Sequence, residues 1–283
     1  MVLDILIHGL EWASIYATIA IGFSLIFSAS RIINLAQGEF VMLGGLIGFS
    51  LYSTHLPLFL IPFLSAAVVA SVGIVLERVA ISPAKRASPT SLIIITIALS
   101  VILRSTAALV WGPHTFRIPS FFAHLPAGTQ ILFFDLDYIL IVGSCFVSII
   151  ILGLFLKKTR LGRALRACSM DPTGARIVGI SPEKMRMLSF SISAGLGGMV
   201  GVLIAPVFYA NSDLGLNLGI KGFCAAVLGG MGNIPGAIVG GFIIGISEAA
   251  GASFASSYKD IIAPVLMLFV LYLKPRGILG GRS

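Results

Sequence analysis

The chain is a succession of long apolar stretches separated by short polar breaks, and the breaks predict its elements. A first span runs from about Ile5 to Ser28, long enough at about 1.5 Å per residue to cross a hydrocarbon core of roughly 30 Å. Arg31 marks its end, the polar run SASRIINLAQGEF follows over Ser28 to Phe40, and a glycine-rich span continues to about Tyr52. A span that opens on such a run is predicted to be broken or entered at an angle, because irregular backbone survives at membrane depth only inside protein or beside water. Asn34, Gln37 and Glu39 are therefore candidates for a solute path; capping of a helix at the membrane surface is the plainer alternative.

A third span is predicted over about Leu58 to Ala80, ending in Glu77-Arg78 and the proline-bounded basic turn Ser82 to Pro89. A fourth covers about Thr90 to Trp111. Arg104 within it should face protein or water, or else snorkel to the surface. Gly112 to Asp137 reads as a loop with Arg117 as its one basic residue. The fifth and sixth spans, about Tyr138 to Leu156 and Met187 to Phe208, flank the most charged stretch, and Gly195, Gly197, Gly198 and Gly201 give the sixth a small-residue face for close packing.

Beyond it, Tyr209 to Asn217 reads as a loop and Leu218 to Leu228 as too short to span. Gly229 to Gly236 then breaks the chain before a second glycine-rich segment, Ala237 to Glu248. Two half-length helices meeting at a Gly/Pro break are a known construction for a membrane-embedded site, which makes Gly230 and Asn233 candidates too. A last span, about Asp260 to Leu273, ends in Lys274-Pro275-Arg276. The count is about eight or nine membrane segments, and the two glycine-rich segments behind breaks suggest an internal repeat.

Residues 157–186 hold Lys157, Lys158, Arg160, Arg163, Arg166, Arg176, Lys184 and Arg186 against Asp171 and Glu183, so the positive-inside bias puts this loop in the cytoplasm. Leu161, Ala164, Leu165 and Cys168 fall at i, i+3, i+4 and i+7, one apolar stripe, with Arg163 and Arg166 off it. Asp171-Pro172 has the form of a helix start, Gly179 suits a left-handed end, and Ser181-Pro182-Glu183 repeats the start signal. Such a helix can dock in a groove of a soluble partner and carry its movement into the membrane; a loop that only fixes orientation or touches anionic lipid is the alternative.

Composition agrees with the pattern. The 283 residues are 57% hydrophobic and 11% charged, with mean hydropathy +1.05, far from the roughly one-quarter charged of soluble domains. The predicted fold is all-α, a polytopic transmembrane helical bundle with broken or re-entrant helices, forming one domain over residues 1–283. The net charge of +8 sits in loops between spans and sets topology, so no nucleic-acid partner is expected. The N-terminus has no basic residue before its apolar run, which argues against a cleaved signal peptide; Asp4 and Glu11 fit an external N-terminus and the basic tail a cytoplasmic C-terminus. Three cysteines and four histidines show neither disulfide nor metal-ligand spacing. There is no phosphate-cradling Gly-x-x-x-x-Gly-Lys-Ser/Thr loop, so any ATP is used by another chain, and no set of nucleophile, acid and base suggests an enzyme. An ion-coupled secondary transporter of a small polar solute remains as the alternative, with Glu39 and Glu248, both near predicted ends, as its only plausible carboxylates.

Three motifs carry a resemblance. They are GFSLIF at Gly22 to Phe27 with NLAQGEF at Asn34 to Phe40, GRALRA at Gly162 to Ala167 running on to Gly179-Ile180, and VLGGMGNIPGA at Val227 to Ala237. In this order and at these separations the chain resembles the permease subunits of branched-chain amino-acid ABC importers, LivH type, over nearly its whole length. The resemblance implies a subunit in the bacterial inner membrane that binds no cofactor. It would pair with a second LivH/LivM-like permease and with two cytoplasmic ATPases docked at Arg163, Ala164, Leu165, Arg166 and Ala167, within a coupling loop that includes Asp171 and Gly179. A periplasmic or extracellular solute-binding protein would deliver leucine, isoleucine, valine or a related solute. Gln37 departs from the pattern, since many relatives carry histidine before the Gly-Glu pair, so the motif does not carry the identity of the solute.

Overall fold

In the computed structural model the described residues are 2–84, 87–122, 130–131, 134–254 and 259–280. Lys85 and Arg86 of the basic turn, His124 of the long loop and Arg282 of the tail lie outside them. Apart from a short pairing of Gln130–Ile131 with Phe134–Asp135 and a bridge between Phe116 and Ala210, regular structure among the described residues is helical. In order the helices are α1 (Val2–Ser30), α2 (Gln37–Tyr52), α3 (Ile61–Leu76), α4 (Pro89–Trp111), α5 (Leu136–Lys158), α6 (Arg160–Met170), α7 (Pro172–Ile177), α8 (Pro182–Phe208), α9 (Leu214–Gly229), α10 (Ile234–Phe254) and α11 (Lys259–Leu273). Six of them, α1, α4, α5, α8, α10 and α3 with its flanking turns, are long and apolar enough to cross a membrane. The protein is a polytopic helical membrane protein.

The helix predicted to begin at Leu218 begins at Leu214 and runs 16 residues. Gly215 and Gly219 read as loop and helix edge in sequence, yet here they let the first turns of α9 lie against α2. In the third span the α-helix stops at Leu76 and widens into one π turn over Glu77–Ile81.

Burial orders the bundle. The spanning stretch of α1 is 83% buried, whereas that of α4 is 17% buried, so α1 is an inner axis and α4 lies at the rim. Rim helices present Ile94, Ile102, Leu109, Ile150 and Ile151 outward, the surface that lipid requires. Without a hydrophobic drive between helices in lipid, close backbone approach supplies the packing. A Cβ on Gly44 of α2 would stand 2.6 Å from the Cα of Gly198 on α8, and one on Gly241 of α10 would stand 2.5 Å from the Cα of Ala17 on α1. The α8 glycines pack as their pattern predicts, with Gly197 against Phe40 and Gly198 against Val69. Both glycine-rich segments thus serve as packing faces.

One end of the bundle, the basic end, holds α6, α7, Arg31, the π turn and the tail after α11. The opposite end is tied by Trp111, whose Nε1 donates to Ser50 Oγ at 2.8 Å, and by the Phe116–Ala210 bridge.

Candidate functional site: a buried polar cluster and a basic hairpin

After α1 the chain turns at Arg31, which sits at φ +58°, and enters the bundle without helical hydrogen bonds of its own. Its polar groups find partners locally. The Leu35 amide donates to Thr96 Oγ1 at 3.3 Å, that hydroxyl lies 3.2 Å from the Ile33 carbonyl, and Asn34 Oδ1 accepts from the Ala36 amide at 3.2 Å. Several of the bonds this backbone does not make to itself are thus replaced by side chains inside the protein.

Helix α2 therefore starts in the interior. Gln37 Nε2 donates to the Ser193 carbonyl at 3.3 Å and Gln37 Oε1 accepts from Ser193 Oγ at 2.7 Å, near the middle of α8. Glu39 Oε1 accepts from Ser100 Oγ at 2.7 Å, at the centre of α4. Asn34, Gln37 and Glu39 are all buried. Glu39 stands in the first turn of α2, near the helix's start as the sequence placed it, and is nonetheless enclosed by α4 and α9. Arg104 lies one turn beyond Ser100 on α4 and is half-buried. Glu39 Oε2 and Asn34 Nδ2 are buried without a hydrogen-bond partner, a costly state that marks polar capacity held in reserve. Gly38 sets the neighbour: a Cβ there would collide with the Gly215 carbonyl and stand 2.7 Å from the Cα of Gly219.

Gly230 and Asn233 are not part of this cluster. The Gly229 to Gly236 break lies at the basic end, where Gly232 sits beside Phe27 and Ser28 at the end of α1. Asn233 Nδ2 donates to the Leu279 carbonyl at 2.6 Å and its Oδ1 accepts from the Gly236 amide at 3.4 Å, so it starts α10 and holds the tail. Gly230 has φ +109° and a Cβ there would lie 2.7 Å from the Gly280 nitrogen.

Sequence reasoning missed a second buried polar group. Lys221 of α9 contacts the Glu248 carboxylate, lies 2.7 Å from Asp260 Oδ1 and stands 5.8 Å from the Tyr16 ring centre. Glu248, placed near an end by the sequence, is buried inside α10. The signal was available: a single lysine inside an apolar helix must have an internal partner.

The hairpin at the basic end is built as its caps predict. Asp171 Oδ1 accepts from the Thr173 amide at 2.9 Å, Ser181 Oγ accepts from the Lys184 amide at 3.4 Å, and Gly179 takes φ +82°. Thr159 Oγ1, accepting from the Gly162 amide at 2.9 Å, is an unforeseen first cap. The buried stripe of α6 is Gly162, Leu165 and Cys168. Leu161, assigned to that stripe from its spacing, is 51% exposed instead. Gly162 takes the inward place because a Cβ there would meet the Phe155 carbonyl, so only glycine lets α6 fold this tightly on α5. Burial holds the Cys168 thiol above the usual thiol range. Arg163 and Arg166 are exposed, and Ala164 and Ala167 are half-buried. Beyond them Met170, Ile177 and Val178 are 85%, 82% and 72% exposed.

Comparison with known proteins shows the family. A family model described as "Branched-chain amino acid transport system / permease component" matches residues 5–271. The high-affinity branched-chain amino acid transport system permease protein LivH of Escherichia coli is 34% identical, over 96% of this chain and 94% of its own. BraD of Pseudomonas aeruginosa, of the same description, is 34% identical over 97% and 94%. Among solved structures, PsaBC from Streptococcus pneumoniae in complex with Fab matches with TM-score 0.51 at 17% identity, covering 96% of this chain and 92% of that one, a likeness of fold. An interior polar cluster, a basic hairpin and identity along nearly the whole length converge: the chain belongs to the permease components of the branched-chain amino acid ABC transport systems.

Proposed function

We propose that this permease, a transport subunit and not an enzyme, carries a branched-chain or related amino acid past the α2 start, driven by ATPase subunits that dock on the α6–α7 hairpin. The observation that carries this reading is the set of exposed apolar residues Met170, Ile177 and Val178 on a hairpin that also exposes Arg163, Arg166 and Arg176. Apolar side chains so exposed beyond the ends of the spans belong against a partner, and an amphipathic helix in a groove is a common way to meet one. Arg163, Ala164, Leu165, Arg166 and Ala167 are the docking helix in this proposal, with Asp171 and Gly179 shaping the turn behind it.

The positive-inside rule makes the basic end cytoplasmic, the start of α1 external and the tail cytoplasmic, in the inner membrane of a bacterium. On that orientation the chain passes the membrane nine times, with α2, α9 and α11 as the shorter passages. Asn34, Gln37 and Glu39 line the path, and Gly230 and Asn233 belong to its inner rim. A second related permease completes the path and a solute-binding protein loads it.

The test is Ala164→Glu or Ala167→Glu in proteoliposomes holding the whole transporter. A carboxylate buried unpaired at an interface costs about 2–5 kcal/mol. Leucine uptake should therefore fall by about thirtyfold or more, with the chain still inserted. Normal coupled uptake would refute the docking role, and uptake driven by an ion gradient alone would restore the secondary-transporter alternative.

A further inference from the structure

A cavity of about 660 Å³ at the basic end lies between α1, α5, α6 and the start of α10. Its mouth carries Arg31, Lys157 and Arg166, and no carboxylate lines it. Among the described residues none of these three cations is paired with an acid; Arg31 makes only a 3.5 Å contact from Nη2 to the Ser169 carbonyl and lies 5.8 Å from the Phe27 ring centre. Ser28, Ser169 and Asn233 add polar groups at the same level. Deeper in, the wall is apolar, with Leu25, Ile149, Leu156 and Ile238, and it follows α5 and α1 along their spanning stretches.

We infer that this cavity binds an anionic phospholipid, its phosphate on Arg31, Lys157 and Arg166 and an acyl chain along Ile149, Gly153 and Ile238. Three unpaired cations over an apolar trough fit one molecule that is anionic at one end and hydrocarbon at the other. A free phosphate shares the headgroup chemistry but leaves the trough empty. Gly153 shapes the trough: a Cβ built on it meets nothing within 4 Å. A bound lipid in this place would touch the hairpin through Arg166 and the α10 start through Asn233, and so would tie the two together.

The test is native mass spectrometry of the detergent-purified full chain titrated with dioleoylphosphatidylglycerol or dioleoylphosphatidylcholine. Each basic side chain beside an anionic headgroup is worth about fivefold in affinity. Arg31→Gln with Lys157→Gln should therefore cut retention of the anionic lipid by more than about tenfold and leave the zwitterionic lipid unchanged. Gly153→Leu, whose Cβ meets no neighbour, puts a branched side chain into the trough and should weaken both lipids while leaving the melting temperature unchanged. Equal retention of the two lipids by the native chain, or undiminished retention by the double variant, would overturn the assignment. Displacement of the lipid by millimolar inorganic phosphate would overturn the choice of a lipid over a free anion. None of these readouts involves an ATPase, so they stand or fall apart from the docking proposal.

Discussion

Arg186→Gln should be strongly destabilising. Its Nε donates to Glu77 Oε1 at 2.6 Å, and the two side chains are 13% and 3% exposed. The pair fastens the π turn after α3 to the second turn of α8, where the hairpin feeds back into the bundle. Losing one partner strands the other charge out of water, at a cost of about 3–5 kcal/mol. Arg186 Nη2 is itself buried without a partner, so the pair is imperfect and should sit near the low end of that range. With roughly 2–4 °C lost per kcal/mol in a chain of this size, either Arg186→Gln or Glu77→Gln should lower the melting temperature in detergent by about 6–12 °C. The double variant leaves no stranded charge, only neutral amides in hydrogen-bonding reach, and should recover at least half of that loss. Intrinsic tryptophan fluorescence followed through a thermal ramp on four matched samples measures the cycle. If the double variant falls by the sum of the singles, the two charges do not act on each other and the argument is wrong.

Other expectations concern separate sites. Glu39→Gln keeps an acceptor for Ser100 and removes a buried charge with one unpartnered oxygen, so the chain should be as stable or more so by about 1 kcal/mol while amino-acid uptake by the reconstituted transporter drops; unaltered uptake would remove Glu39 from the path. Gly230→Leu combines φ +109° with a collision against Gly280 and should lower the yield of folded chain in the membrane, which size-exclusion chromatography would register. The Cys168 thiol is held up by burial, so the stabilisation it gives α6 is whole below the usual thiol range and fades as pH rises through the raised value; maleimide labelling should be slow at neutral pH and accelerate under alkaline conditions. Labelling at neutral pH as fast as in a denatured chain would contradict that burial.

Spans and caps were legible because each rests on neighbours in sequence. Apolar length fixed the long helices, and Asp171-Pro172, Gly179 and Ser181-Pro182 fixed the hairpin because a cap bonds two or three residues away. The depth of Gln37 and Glu39 was half legible: the polar interruption announced a break, but only Ser193 and Ser100, far along the chain, set its height. A lone lysine in an apolar helix announces that Lys221 needs an internal partner, but neither its pairing with Glu248 nor that of Arg186 with Glu77 was legible, since each pair joins positions that nothing local relates. Leu161 and Gly162 exchanged roles because a helical stripe defines a face only to within a residue, and a close approach to Phe155 chose the smaller side chain.

The tail closes the fold in a way that orders its making. The amides of Ile278 and Leu279 donate to the carbonyls of Leu228 and Gly229 at 2.9 and 3.1 Å. Those carbonyls belong to a helix end translated about fifty residues earlier, and an unmet backbone acceptor at the membrane border is a standing cost. The α9–α10 turn therefore gains its full set of backbone partners only once α11 is in place and its trailing segment has come back underneath.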